Sequence, residues 1–297
     1  MVIPDDIDTA VNEGDVSAVV AWLDAGGDVN DVMGENTEQF IEGDNMLMAL
    51  GDARSVTSRT VELAKLLLQR GADVNRVAVG DDSNYSPLQC LIEALPIRNQ
   101  RRDPAALIDI LGIYLAAGAN VNHKNRGGMT ALGMALRHST WYGDEGNLRL
   151  ALGSVKLLLR AGASLDACNR TFDASGGTEQ TAEELLRERR IMPAMAENEA
   201  TLADNEVFLA CEVMVADVRA AGSWKAYTRA PPKALLRLRS LVARDRARVR
   251  KERTRGKTPR EVVLLFAPTF PNDLFWRVLE YWNPRYEALR TPSTRSV

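Results

Sequence analysis

The chain has 297 residues, 45% hydrophobic and 26% charged, which are globular proportions and enough length to bury one long or two moderate cores. Its net charge of −3 hides two unlike parts: residues 1–228 hold 20 Lys and Arg against 34 Asp and Glu, whereas residues 229–297 hold 17 against 6. Three scattered cysteines suit neither a disulfide framework nor a zinc spacing, and no secretory signal or long uncharged apolar run is visible, so an intracellular chain without membrane span or metal is expected.

In chain order the predicted elements come in pairs. A short helix with Ala10 and Val11 turns at Gly14-Asp15 into a second with Val19, Val20 and Leu23, and Gly26-Gly27-Asp28-Val29-Asn30 follows. A polar finger, Met33 to Gly43, leads to a helix carrying Met46, Leu47, Ala49 and Leu50, then to Leu66-Leu67-Leu68 and Gly71-Ala72-Asp73-Val74-Asn75. Tyr85-Ser86-Pro87-Leu88 opens a third pair, which closes on Ile113-Tyr114-Leu115 and Gly118-Ala119-Asn120-Val121-Asn122. Gly128-Met129-Thr130-Ala131-Leu132 opens a fourth, closing on Leu157-Leu158-Leu159 and Gly162-Ala163-Ser164-Leu165-Asp166. A degenerate fifth starts at Thr178, with its helix over Ala182 to Arg190.

Each position of the recurring phrase has a physical task. The Gly just past a helix takes the left-handed conformation that stops it. The next residue is small to lie against the neighbouring unit, Val anchors the loop, and Asn or Asp turns the chain through side-chain-to-backbone hydrogen bonds. These glycines are therefore expected to be structural.

The phrases and the Ser-Pro-Leu-Gln opening resemble the ankyrin repeat over about Ile7 to Arg190, with Ser86 for the family's Thr, Gln89 for its His and Ala131 for its Pro. The resemblance implies an all-α ankyrin solenoid of four to five units followed by a C-terminal helical extension. It also implies a non-catalytic scaffold that binds a partner protein through its hairpin tips and concave helical face. The tip residues are Asn30, Asp31, Asn75, Arg76, His123, Lys124, Asn125, Arg126, Asn169 and Arg170. The phrase recurs after 45, 47 and 44 residues, longer than the family's usual period of about 33. The surplus is expected in the finger and between the helices of each pair, at Asp52–Arg59, Pro96–Pro104 and Ser139–Gly146, as extended turns along one edge.

Beyond the repeats, a helix is expected over Glu197 to Ala221, ended by Gly222, then a break at Pro231-Pro232 and a second helix over Lys233 to Arg250. The expected organisation is residues 5–190 for the repeats, 191–228 for a helical linker or cap, and 229–297 for a basic helical region. Arg244 to Lys257 holds eight Lys and Arg against two acids. Such a run reads as a solvated helix face, a nuclear-import or nucleic-acid patch, or a contact for an acidic surface. After a short apolar helix, Val262 to Phe266, the segment with Pro271, Asp273, Leu274, Val278, Leu279 and Trp282 is similar to the opening of an F-box, with Phe270 for its Leu; only 28 residues remain from Phe270, against the 40 or so that an F-box needs. By position it is also similar to a SOCS box, with Ser240-Leu241 standing for the adapter-binding helix but lacking its cysteine. Either resemblance implies a substrate receptor of a ubiquitin ligase, docking an adapter through Pro271, Leu274, Phe275, Leu279 and Trp282. The alternative is that these apolar residues cap the solenoid.

His123 and His138 are the only histidines, neither has a nucleophile or carboxylate at a telling spacing, and no phosphate loop or metal cluster appears, so neither catalysis nor a cofactor is expected. A cytoplasmic protein is expected, with nuclear entry as the consequence of the basic run acting as an import signal.

Overall fold

The computed structural model describes residues 2–34, 43–53, 56–78, 84–94, 103–139, 145–173, 176–191, 206–244, 270–271 and 274–275. The chain divides into two compact units, residues 1–220 and 221–297.

The first unit is built from helix pairs. These are α1 (Asp5–Glu13) with α2 (Val16–Asp24), α3 (Met46–Asp52) with α4 (Ser58–Gln69), α5 (Pro87–Glu93) with α6 (Pro104–Ala116), and α7 (Ala131–His138) with α8 (Glu145–Arg160). A hairpin of β1 (Asn169–Asp173) and β2 (Gly176–Gln180), then α9 (Ala182–Ile191) and α10 (Glu206–Ala221), complete the unit. The two strands pair antiparallel, Asn169 opposite Gln180 and Asp173 opposite Gly176. First helices touch first helices, α1 to α3 to α5 to α7 to α9, and second helices touch second helices, α2 to α4 to α6 to α8. The chain therefore stacks pair on pair.

Burial follows from that stacking. Each inner first helix is flanked by a first helix on either side and by its own partner, so it is buried all round rather than on one stripe. Met46 to Leu50, Leu88 to Ile92 and Ala131 to Leu136 are buried without interruption. Tyr114 of α6, fully buried, sends its hydroxyl back to the Leu47 carbonyl of α3 at 2.7 Å. Helices of seven to nine residues are marginal alone in water, and this shared core supplies what their length cannot.

Caps fix where each helix begins. Asn45, Asp103 and Thr130 accept the backbone N–H of Met48, Ala105 and Gly133. Ser86 and Gln89 cap α5 reciprocally, and Thr57 with Thr60 does the same for α4. Asp15 caps α2 by accepting from Ser17 and Ala18, directly after Gly14 has closed α1 at φ +70°.

The surplus over a 33-residue period is partly helix. The second helices run 9, 12, 13 and 16 residues in order, so α4 and α8 take up the ends of segments expected as turns. In the second pair the described ends of the link turn inward: Ala53 and Val56 are fully buried, and the Val56 carbonyl accepts the Asp103 N–H at 2.8 Å. The expected finger residues 35–42, and the link residues 54–55, 95–102 and 140–144, lie outside the described residues.

Among the described residues of the second unit, helix α11 (Trp224–Ala243) is capped by Ser223 and runs through Pro231-Pro232, where a break was expected. Proline's fixed φ is compatible with a helix, although each ring lacks an N–H and crowds the carbonyl four residues back, so the helical backbone here is held despite two local costs. The division after residue 220 assigns α10 to the repeats and the start of α11, Trp224 to Thr228, to the basic unit. The expected start of α10 at Glu197, the end of the second helix at Arg250 and the short helix at Val262 to Phe266 lie outside the described residues.

Candidate functional site

The recurring phrase builds the same turn four times. Gly26, Gly71, Gly118 and Gly162 all have φ between +89° and +101°. In the second copy Gly71 N–H donates to Leu68 and Ala72 N–H to Leu67, the paired closure that satisfies two stranded helix carbonyls. The other three copies repeat it, through Leu23 and Trp22, Leu115 and Tyr114, and Leu159 and Leu158. The third phrase position then folds the loop with its own side chain, Asp28 accepting from Asn30 N–H, Asp73 from Asn75, Asn120 from Asn122 and Ser164 from Asp166. Val29, Val74, Val121 and Leu165 are buried beneath. At Gly27 smallness has a cause other than the neighbouring unit: a Cβ there would sit 2.3 Å from the Trp22 ring of its own helix.

The fifth position joins one turn to the next. The Asn30 carboxamide donates to the Gly71 carbonyl at 3.2 Å and accepts the Asp73 N–H at 2.8 Å. Asn75 repeats this one unit on, with Gly118 at 3.1 Å and Asn120 at 2.7 Å, and Asn122 repeats it with Gly162 at 3.4 Å and Ser164 at 2.8 Å. Three asparagines thus form a ladder of two-bond clamps, each bond worth about 0.5–1.5 kcal/mol net. The fourth phrase carries Asp166 instead, and its carboxylate pairs with Arg219 of α10. Arg219 also grips Glu183 of α9 with Nε at 2.7 Å and Nη2 at 3.0 Å. Those bonds hold the Glu183 carboxyl below its usual range and push Arg219 up. The change from Asn to Asp is the change from joining a further turn to ending the row.

The expected contact residues divide accordingly. Asn30 and Asn75 have both ends of their carboxamides committed to the next turn, and Asp31 is buried. Arg76 donates to the Asn30 carbonyl. His123 Nε2 lies 2.9 Å from the Asn84 carbonyl, and Asn125 accepts the Met129 N–H at 2.8 Å. Asn169 donates across the hairpin to Gln180 at 3.0 Å. Lys124, Arg126 and Arg170 make a basic tip: Lys124 pairs with Glu179, which stands opposite Arg170 in the hairpin, and Arg170 packs over Gly128 two residues from the exposed Arg126.

Sequence reading missed Asn122, Asp166, Glu179, Glu183, Arg219 and Gln89. Gln89 is wholly buried and holds the third finger by donating to the carbonyls of Met129 at 2.8 Å and His123 at 3.3 Å. Gly133 is equally constrained, since a Cβ there would sit 1.9 Å from the Cys168 carbonyl oxygen. Among the first helices, Glu93 receives Arg137 at 3.1 Å and lies 3.5 Å from His138 Nε2. His138, then Arg137, hold the Glu93 carboxyl below its usual range against the opposing effect of burial.

In the second unit, Pro271 and Leu274 are exposed, but Phe275 is buried at 1% exposure with the Arg239 guanidinium 4.2 Å over its ring, and Arg239 also donates to the Phe270 carbonyl. Phe275 is thus packed inside its own unit, as expected of a capping residue rather than of one offered to an adapter. Leu279 and Trp282 lie outside the described residues, as does the basic run beyond Arg244.

Among the described residues no helix is long and apolar enough to cross a membrane, and no three His, Cys, Asp or Glu side chains gather as metal ligands would. No protein-family model matches the chain, and a search of curated proteins finds no matching sequence.

Proposed function

We propose that this protein is a non-catalytic recognition scaffold of the ankyrin-repeat kind, without a cofactor, that binds a partner protein along the edge made by its finger turns. One observation carries the reading: the same turn is built four times and locked to its neighbour by a two-bond asparagine clamp, so the fingers stand as one row. A row of that kind presents a preorganised surface, and partners gain affinity when little ordering remains to be done on binding. Within it the basic tip of Lys124, Arg126 and Arg170 stands out on a strongly acidic part of the chain and suits carboxylates on the partner.

The ligase-receptor reading has less support, because Phe275 is spent on internal packing while Pro271 and Leu274 stay exposed. The nucleic-acid reading rests on the run Arg244 to Lys257, of which only Arg244 is described.

A photocrosslinking amino acid placed at Arg126 tests the proposal against the same group at Asp109, exposed on α6. The expected result is a discrete protein adduct at 126 and none at 109. Adducts of equal yield at both positions, or none at 126, would set the finger-edge reading aside.

A further inference from the structure

The second unit carries a face that the finger row leaves unused, and we propose that it docks an acidic amphipathic helix of another protein. Along α11, Trp224, Tyr227, Leu238 and Leu241 fall on the two apolar places of a single heptad frame. The first two are half-buried and tilt against each other, ring centroids 5.5 Å apart. Leu238 and Leu241 are 42% and 39% exposed, side by side at i and i+3. Leu274, 43% exposed, directly precedes Phe275, the ring held under Arg239 of the same helix. Apolar side chains side by side with a charged rim have the composition of an interaction surface.

Charge decides the occupant. Arg237 and Arg244 sit on the flanking place of the same heptad frame, seven residues apart and both exposed. The helix as a whole carries Lys225, Arg229, Lys233, Arg237 and Arg239 and no Asp or Glu. Lys225 and Arg229 stand four residues apart, where like charges repel along a helix. A second copy of α11 would add cation to cation. A nucleic acid would satisfy the cations and leave the leucines against phosphate and sugar. A bilayer surface rewards a broad apolar face along the whole helix, whereas the exposed large apolar residues of α11 are Leu238 and Leu241 alone among the described residues. A helix with Leu or Ile on its seam and Glu or Asp beside it meets both the leucines and the arginines.

The proposal is independent of what the stack binds. The test is fluorescence anisotropy of the full chain with a labelled synthetic helix of about 20 residues, Leu on the seam and Glu flanking. Its twin with Lys for Glu, a DNA duplex and anionic vesicles serve as the other arms. The Glu helix should bind, more weakly as salt rises, and the Lys twin should not. Leu238→Ala with Leu241→Ala should weaken binding about tenfold or more, with the helical circular dichroism unchanged. Arg237→Glu with Arg244→Glu should lose the Glu helix and gain the Lys twin, a result that unfolding could not give. No binding of the Glu helix, binding indifferent to both pairs of substitutions, or tighter capture of duplex or vesicles by the same face would overturn it.

Discussion

Replacing Asn75 by Ala removes the middle clamp of the ladder and nothing else of size. Two hydrogen bonds go, to the Gly118 carbonyl and from the Asn120 N–H, at 3.1 and 2.7 Å. Neutral pairs contribute about 0.5–1.5 kcal/mol each, and because Asn75 is exposed, water can take up the freed groups, so the lower half of that range applies: a loss of roughly 1–2 kcal/mol. For a unit of about 200 residues this is a fall in melting midpoint of roughly 2–8 °C, read by circular dichroism or by the shift in urea midpoint. Asn75→Asp is the sharper test. The substitution keeps the shape and still accepts from Asn120, but turns a carboxylate oxygen towards the Gly118 carbonyl where an N–H had donated. It should destabilise at least as much as Ala, although Asp is the natural residue two phrases later, where Arg219 meets it. An Asn75→Asp protein as stable as the parent would refute the ladder as the reason for asparagine at this position.

Leu67→Ala, at a fully buried position of α4, should cost about 2–5 kcal/mol in the same denaturation experiment, and a shift indistinguishable from zero would contradict the packing of the second helices. Cys168 and Cys211 are buried, with thiols pushed up to about 12 by desolvation, so neither should react with a disulfide reagent at neutral pH until the chain is unfolded in denaturant. Glu93 is held below its usual range, so its contribution is present above the unfolded value of about 4.3 and is lost as pH falls through the lower folded value. Glu93→Gln should therefore lower stability near neutrality, with the gap to the parent closing in acid. Arg219→Ala should open the end of the row, and because Asp166 and Arg219 are largely exposed the loss should be no more than about 1 kcal/mol and smaller in high salt.

What was legible in the sequence was local. A glycine that must stop a helix, an Asp or Asn that folds its own loop and a Val that anchors it all act within five residues, and four copies made them readable. The ladder was not readable, because each clamp joins residues 40 or more apart, as Asn122 does with Gly162. Reading the asparagines as tips assigned to solvent a side chain that had a partner. Asp166 was the one sequence sign of the row's end, and its partner Arg219 sits 53 residues away with no local signal. The β1–β2 hairpin was read only as another finger, though Thr171 and Phe172 before Gly176-Gly177 carry strand and turn character. At Pro231-Pro232 a strong local rule misled, since the turns on either side keep α11 helical. Phe275 was left between docking and capping, because an apolar residue in a docking motif and one in a core look alike until burial is known.

Affinity capture on the full chain, with bound proteins quantified at low and high salt, bears most directly on recognition through the fingers. Arg126→Glu with Arg170→Glu reverses two exposed charges, and circular dichroism of this protein against the parent separates a lost contact from a disturbed hairpin. A defined protein held by the parent should be lost to this pair, most clearly at low salt, and retained by the Leu238→Ala, Leu241→Ala protein. Equal capture by the parent and the Arg126→Glu, Arg170→Glu protein would contradict recognition through the basic tip.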